Sequence, residues 1–112
     1  MLALAASGLN GQSFAFVGYL PVEAGARHAR LQELEALSRR SGQTQLVIET
    51  PYRNTALFAA MTAVLAPSTQ LSLACALTRP EGWTRTRTVA QWRQEPPSLP
   101  DRLPVVFAFL AR

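Results

Sequence analysis

Residues 45–54, QLVIETPYRN, place a carboxylate and a guanidinium four positions apart at the junction of two predicted elements. The apolar run before Glu49 has the length and β-branched content of a buried strand. Thr50-Pro51 is typical of a helix start, because threonine is a favourable N-cap and proline suits the first helical position. Arg53 then falls in the first helical turn, where the positive end of the helix dipole opposes a cation. The pattern indicates that Arg53 serves something other than helix stability.

Two interpretations of Glu49 and Arg53 follow from the sequence. The first is a local ion pair between neighbouring turns, which contributes less than about 1 kcal/mol at a surface. The second places Glu49 at the carboxyl end of a strand, the usual position of ligands in open α/β sheets. In that case Glu49 would hold Arg53 toward a cleft.

Other residue types that could carry chemistry are isolated along the chain. The sequence contains no GxGxxG, P-loop, HExxH or CxxC pattern. His28 is the single histidine, and its helical spacing from Arg27 and Arg30 indicates a solvated helix face rather than a general base. Ser7 would need a partnering base to act as a nucleophile, and no second histidine supplies one. Serine hydrolase chemistry is therefore set aside.

The charge of the chain leaves nucleic-acid contact open. All 11 basic residues are arginine, the net charge is +4 and the isoelectric point is about 10.6. Arginine suits bidentate contact with phosphates, although an arginine bias also follows from a GC-rich genome. Arg85 and Arg87 alternate along a predicted strand and so face the same way. They could bind phosphates, or they could protect a solvated edge strand from aggregation.

Composition limits the class of protein. With 112 residues, 48% of them apolar and 16% charged, the chain has the size and composition of one folded domain. No apolar stretch approaches the ~18–20 residues of a membrane span, and the opening MLALAASGLNGQ has no basic segment before its apolar run. Cys75 is the only cysteine, which excludes an intrachain disulfide and a cysteine zinc site. We expect a soluble cytoplasmic protein with no metal.

The pattern of apolar residues, prolines and glycines predicts strands alternating with helices. This order of elements is typical of an α/β fold with a mixed sheet of about five strands and helices packed on it. The predicted helices cover 1–7, 22–41, 50–65 and 89–93, and Gly42 is expected to close the second of them. The predicted strands cover 14–19, 43–49, 71–76, the Thr/Arg alternation after Gly82 and 104–110.

Several segments, in this order, resemble the carboxyl-terminal domain of the tetrapyrrole methylase superfamily. They are SGLN (7–10), FAFVGYLP (14–21), IETPYRN (48–54), ALTRPEG (76–82) and the final apolar strand. Within the superfamily the sequence is most similar to the ribosomal RNA small subunit methyltransferase I group. Members of that group use S-adenosylmethionine to methylate the ribose 2′-hydroxyl of a cytidine in 16S rRNA.

The resemblance implies a two-domain enzyme with the cofactor in the cleft between its domains, usually as a homodimer. Residues 1–112 would form the carboxyl-terminal half, without the glycine-rich amino-terminal domain. A glycine at position 8 would let the backbone approach a ligand closely. The implied cofactor-binding residues are Ala6, Ser7, Gly8, Ile48, Glu49 and Thr50; the implied substrate-binding residues are Arg53 and Arg79, and no catalytic residue is assigned.

Three functions stay open at this point. The first is an S-adenosylmethionine-dependent rRNA methyltransferase. The second is a non-catalytic module for RNA binding or dimerisation. It is favoured by the arginines and by Ala76, which stands where relatives have a glutamate; Asn10 likewise stands where they tend to have proline. The third is a methylase of tetrapyrrole precursors, which superfamily membership would allow.

Overall fold

The computed structural model describes residues 13–75, 80, 82–99 and 102–111. The helix expected over residues 1–7 lies outside this range. The strands are β1 (Phe14–Tyr19), β2 (Thr44–Ile48), β3 (Gln70–Cys75), β4 (Trp83–Thr88) and β5 (Val105–Leu110); the helices are α1 (Ala24–Ser41), α2 (Asn54–Val64) and α3 (Val89–Gln94), with a 3-10 turn at Pro51–Arg53. The alternation of strands and helices agrees with the sequence prediction, apart from the start of α2.

The sheet is mixed and contains five strands in the order β1-β2-β5-β3-β4. β1 and β2 are parallel, β5 runs antiparallel to both β2 and β3, and β4 runs antiparallel to β3. β1, β2 and β3 therefore point the same way, and their carboxyl ends meet along one rim of the sheet. The predicted α/β class with a mixed five-stranded sheet is confirmed.

The described helices pack on one face of this sheet. Their apolar side chains join alternate residues of β2, β3 and β5 in one large core. Trp92 of α3 is fully buried in it, packs edge-on against Phe58 with ring centroids 5.7 Å apart, and donates its indole N–H to the Leu71 carbonyl at 2.8 Å. A second, smaller cluster of described residues on the other face contains Leu46 and Ala108, with Val106 packed against it.

Helix α1 has a capping residue at each end. The helix begins after Glu23, whose carboxylate accepts hydrogen bonds from the backbone N–H groups of Gly25 and Ala26. These bonds, the one from Ala26 being the stronger influence, lower the pKa of Glu23. The helix ends at Gly42, which has φ of 69° and donates its N–H to Ser38. Gly42 was predicted to close this helix.

Strand β1 carries a β-bulge that the sequence pattern did not reveal. Its register against β2 shifts between Phe16 and Gly18, and Gly18 has φ of 82°. Because of the extra residue, Phe14, Phe16 and Tyr19 pair with alternate residues of β2 and share one face of the sheet. These three side chains are 41%, 55% and 64% exposed. The bulge thus produces an exposed aromatic row along the edge strand.

No helix in the described part of the chain has the length and apolarity needed to cross a membrane.

Candidate functional site

The candidate site lies where β2 ends at the rim of the sheet. Glu49 directly follows β2, and its side chain is only 2% exposed. Its Oε1 atom accepts a hydrogen bond from the Thr50 N–H at 2.8 Å and a longer one from the Thr50 hydroxyl at 3.4 Å. The same oxygen lies 3.8 Å from Nη1 of Arg53. The structure therefore brings together the carboxylate and the guanidinium that the sequence singled out.

The helix start differs from the prediction. Residues 51–53 form a 3-10 turn, and α2 begins at Asn54 rather than at Thr50. Thr50 makes no side-chain cap, because its hydroxyl bonds the Glu49 carboxylate instead. Pro51 does occupy the first position of the turn, as expected. The Arg53 N–H donates to the Thr50 carbonyl at 2.8 Å and closes the turn. Arg53 is the residue just before α2 and occupies its N-cap position.

The Arg53 side chain lies between the buried Glu49 carboxylate and the exposed Tyr52 ring. Its side chain is 36% exposed, and its guanidinium carbon lies 4.9 Å from the centroid of the Tyr52 ring, a cation–π distance. Tyr52 is 66% exposed. At 3.8 Å the contact with Glu49 is longer than a hydrogen bond. Among the described residues, the guanidinium N–H groups make no side-chain hydrogen bond, so they can donate to a bound acceptor.

Two buried oxygen atoms near this rim lack hydrogen-bond partners among the described residues. One is Oε2 of Glu49, and the other is Oδ1 of Asn54. A buried acceptor without a donor costs about 1–3 kcal/mol, and more when it is charged. Glu49 thus has one oxygen fixed by its neighbours and one that can accept a donor from a bound molecule.

Sequence reasoning missed Asn54. The residue is fully buried, and its Nδ2 donates to the carbonyl of Leu103 at 3.1 Å, which fastens the start of α2 to the segment before β5. The sequence showed only that Asn54 is a polar residue next to Arg53. Polar residues at a helix start usually face solvent, so nothing local indicated that Asn54 is buried. Its burial depends on a contact with a residue 49 positions away.

Of the predicted site residues, four meet at the end of β2. Ile48 ends the strand half-buried, paired with Tyr19 on one side and Val106 on the other. Glu49, Thr50 and Arg53 follow it. Ala6, Ser7, Gly8 and Arg79 lie outside the described residues, so their roles stay predictions.

The arginine pair on β4 lies elsewhere in the molecule. Arg85 and Arg87 face the same way, as predicted, on the side of the sheet that the helices cover, opposite Leu73 and Leu71. The guanidinium carbon of Arg85 lies 5.7 Å from the Trp83 ring centroid. That of Arg87 lies 5.3 Å from the Trp92 ring centroid, and Nη1 of Arg87 is 3.4 Å from the Glu95 carboxylate. These contacts favour a structural role on the edge strand.

Arg87 also lines a polar cavity of about 270 Å³ together with Gln91, Gln94 and Glu95.

His28 is exposed on α1, in agreement with its prediction as a solvated residue. Within the described ranges, no three His, Cys, Asp or Glu side chains are grouped so that they could hold a metal ion.

Comparisons with known proteins bear on the fold. The chain matches no protein-family model and no curated protein. Among solved structures, that of the methyltransferase CobJ covers 97% of the chain at 16% sequence identity, with a TM-score of 0.57. Uroporphyrin-III C-methyl transferase from Thermus thermophilus complexed with S-adenyl homocysteine covers 96% at 15% identity, with a TM-score of 0.55. Another structure of uroporphyrin-III-C-methyltransferase from Thermus thermophilus covers 96% at 20% identity, with a TM-score of 0.51.

The chain spans less than half of each of these proteins, namely 46%, 48% and 42% of their lengths. At such identities the likeness shows the fold. The mixed five-stranded sheet and its helices are arranged as in part of these methyltransferases, which agrees with the fold implied by the tetrapyrrole methylase resemblance.

Proposed function

We propose that the chain is the carboxyl-terminal, cofactor- and substrate-binding domain of an S-adenosylmethionine-dependent methyltransferase that methylates the ribose 2′-hydroxyl of a cytidine in 16S rRNA. The observation that carries the proposal is the Glu49–Arg53 pair at a strand-end rim, within a fold shared with methyltransferases. One of those proteins is complexed with S-adenyl homocysteine. Ligands of open α/β sheets bind at such rims.

The residues at the end of β2 fit the cofactor. S-adenosylmethionine carries an ammonium group and hydroxyl groups, all hydrogen-bond donors, and Oε2 of Glu49 is a buried acceptor with no donor among the described residues. Ile48, Glu49 and Thr50 would hold the cofactor, together with Ala6, Ser7 and Gly8. The cofactor supplies a methyl group on a sulfonium, which is already activated. The contribution of the chain is then mainly to position the reacting groups.

Arg53 suits an anionic substrate group. Its guanidinium is partly exposed and held over a neighbouring ring, so less side-chain entropy is lost when an anion binds. An RNA phosphate would accept charge-assisted hydrogen bonds from it. Arg79 is assigned to the same substrate by the resemblance.

A second candidate function is methylation of a tetrapyrrole precursor. Two of the similar structures are those of uroporphyrin-III methyltransferases, which favours this candidate. Carboxylates of such a substrate could accept hydrogen bonds from the Arg53 guanidinium, as phosphates would. The +4 charge carried entirely by arginine favours RNA.

Methyl transfer from tritiated S-adenosylmethionine separates these functions. We expect the full-length protein to label 30S subunits and to leave uroporphyrinogen III unlabelled. Labelling of uroporphyrinogen III alone would overturn the RNA assignment. Binding of RNA without any binding of S-adenosylmethionine would indicate the non-catalytic module.

We further propose that the protein is a cytoplasmic homodimer. The support for the dimer is the edge strand β1, whose own six residues carry no charge and whose Phe14, Phe16 and Tyr19 are exposed. Phe16→Lys should shift the protein toward the monomer in light scattering coupled to size exclusion. Thr84→Lys, on the same face at the opposite edge, is the matched control. A dimer that persists unchanged in Phe16→Lys would place the interface elsewhere.

A further inference from the structure

We propose that Tyr52 and Arg53 together bind one nucleotide of single-stranded RNA, with the base stacked on the Tyr52 ring and a phosphate on the Arg53 guanidinium. This inference rests on the proposed function and names residues that would position its substrate.

The first observation is the exposure of the Tyr52 ring. With 66% of the residue exposed, Tyr52 is the most exposed of the large apolar and aromatic side chains in the described part of the chain. It follows the buried Glu49 by three positions, at the rim where the candidate site lies. Exposed aromatic rings are the platforms on which proteins stack unpaired bases.

The second observation is that the ring and the cation are held together before any ligand binds. The Arg53 guanidinium lies 4.9 Å from the Tyr52 ring centroid, on one face of the ring. With the guanidinium in this position, 66% of Tyr52 is still exposed. A base on the ring face away from the guanidinium would complete a stack of guanidinium, tyrosine and base.

The third observation is the rigidity of the backbone beneath this pair. Pro51 fixes one dihedral angle of the 3-10 turn, and the Arg53 N–H closes the turn on the Thr50 carbonyl at 2.8 Å. The Glu49 carboxylate, itself held by the Thr50 N–H, lies 3.8 Å from the guanidinium. Preorganisation of this kind lowers the entropy cost of binding.

The pairing of a flat ring with a guanidinium favours a nucleotide as the ligand. A nucleotide combines a planar base with an anion a few bonds away, and the pair offers one group for each. Duplex RNA would not expose a base face, so the expected ligand is a single-stranded or looped segment.

The test uses a single-stranded oligoribonucleotide that carries 2-aminopurine between uridines, because stacking on a ring changes the fluorescence of this base. Tyr52→Ala should raise Kd about tenfold and abolish the fluorescence change, whereas Tyr52→Trp should preserve both. Val22→Ala is the control: Val22 is 59% exposed and lies before α1. It should leave Kd within twofold.

Arg53→Ala tests the phosphate half of the proposal. Removal of one phosphate contact should lower the slope of log Kd against log salt by about 0.7 for a single strand. An unchanged salt slope would overturn the assignment of a phosphate to Arg53. Thermal melts confirm that each variant is folded.

The outcomes separate this inference from the proposed function. If Tyr52→Ala binds and methylates RNA as the parent does, the inference is overturned while the methyltransferase stands. If the parent stacks the probe through Tyr52 but transfers no methyl group, the nucleotide site stands and the proposed reaction is wrong. If Tyr52→Ala impairs only the binding of a carboxylated tetrapyrrole, the nucleotide assignment is overturned.

Discussion

At the residue scale, the position of Arg53 is explained by what surrounds it. The guanidinium lies at the positive end of α2, which opposes it by about 0.3–1 kcal/mol. The ion pair with Glu49, which is partly exposed on the arginine side, offsets a similar amount. The cation–π contact with Tyr52 adds about 0.5–1 kcal/mol, so the net contribution of Arg53 to the free energy of unfolding is about 1 kcal/mol or less. We therefore assign its main contribution to the proposed contact with an anionic group of the substrate.

Arg53→Ala in the full-length protein should therefore leave the melting temperature within a few degrees of the parent. Methyl transfer to 30S subunits should fall at least tenfold, and Glu49→Ala should act in the same direction. Thermal melts and tritiated-methyl transfer on the same preparations measure both. Arg40→Ala, an exposed arginine in the last turn of α1, is the control. A variant that unfolds yet keeps full activity in its folded fraction would make the pair structural.

A second residue-scale prediction concerns Glu23 and pH. Backbone hydrogen bonds from Ala26 and Gly25 lower its pKa in the folded state below the ordinary value of 4.5. A lowered folded-state pKa stabilises the fold above the unfolded-state pKa, and this stabilisation is lost as the pH falls through the folded-state pKa. Glu23→Gln should thus flatten the fall in melting temperature below about pH 4.5. Glu23→Asp, which keeps a carboxylate at the N-cap position, should not flatten it.

At the element scale, Glu35 of α1 holds the connection between α2 and β3. Its Oε2 accepts hydrogen bonds from the Ala66 N–H at 2.7 Å and from the Thr69 hydroxyl at 2.6 Å. Arg93 of α3 also caps the end of α2, because its Nε donates to the Thr62 carbonyl at 2.6 Å. Polar side chains thus fix how the helices connect to the sheet, while apolar burial supplies most of the driving force.

Glu35→Ala should lower the free energy of unfolding by about 1–3 kcal/mol, since it leaves buried donors without an acceptor. Glu33→Ala, two positions earlier on the exposed face, should change it by less than about 0.5 kcal/mol. Urea unfolding of the two variants beside the parent measures the difference. Equal stabilities would show that water replaces the carboxylate at no cost.

At the scale of the whole molecule, the chain corresponds to less than half of the similar methyltransferases. If the cofactor lies between two domains, one domain supplies only part of its contacts. Residues 1–112 alone should therefore bind S-adenosylmethionine weakly or undetectably by calorimetry. A micromolar Kd, which corresponds to about 8 kcal/mol, would place the whole site in this domain.

The sequence by itself determined the order of elements, because hydrophobic periodicity and the proline and glycine signals are local. β1 was predicted with its observed bounds, and Gly42 was correctly expected to close α1. Glu49 and Arg53 were identified as a pair for the same reason: they are four positions apart across one junction.

Only the tertiary structure decided the remaining features. The strand order depends on contacts between distant segments, such as β5 between β2 and β3. Asn54 is buried by a contact with Leu103. The bulge at Gly18, which sets the faces of the β1 aromatics, depends on pairing with β2. In each case the deciding partner lies on another element, and local sequence patterns carry no record of such contacts.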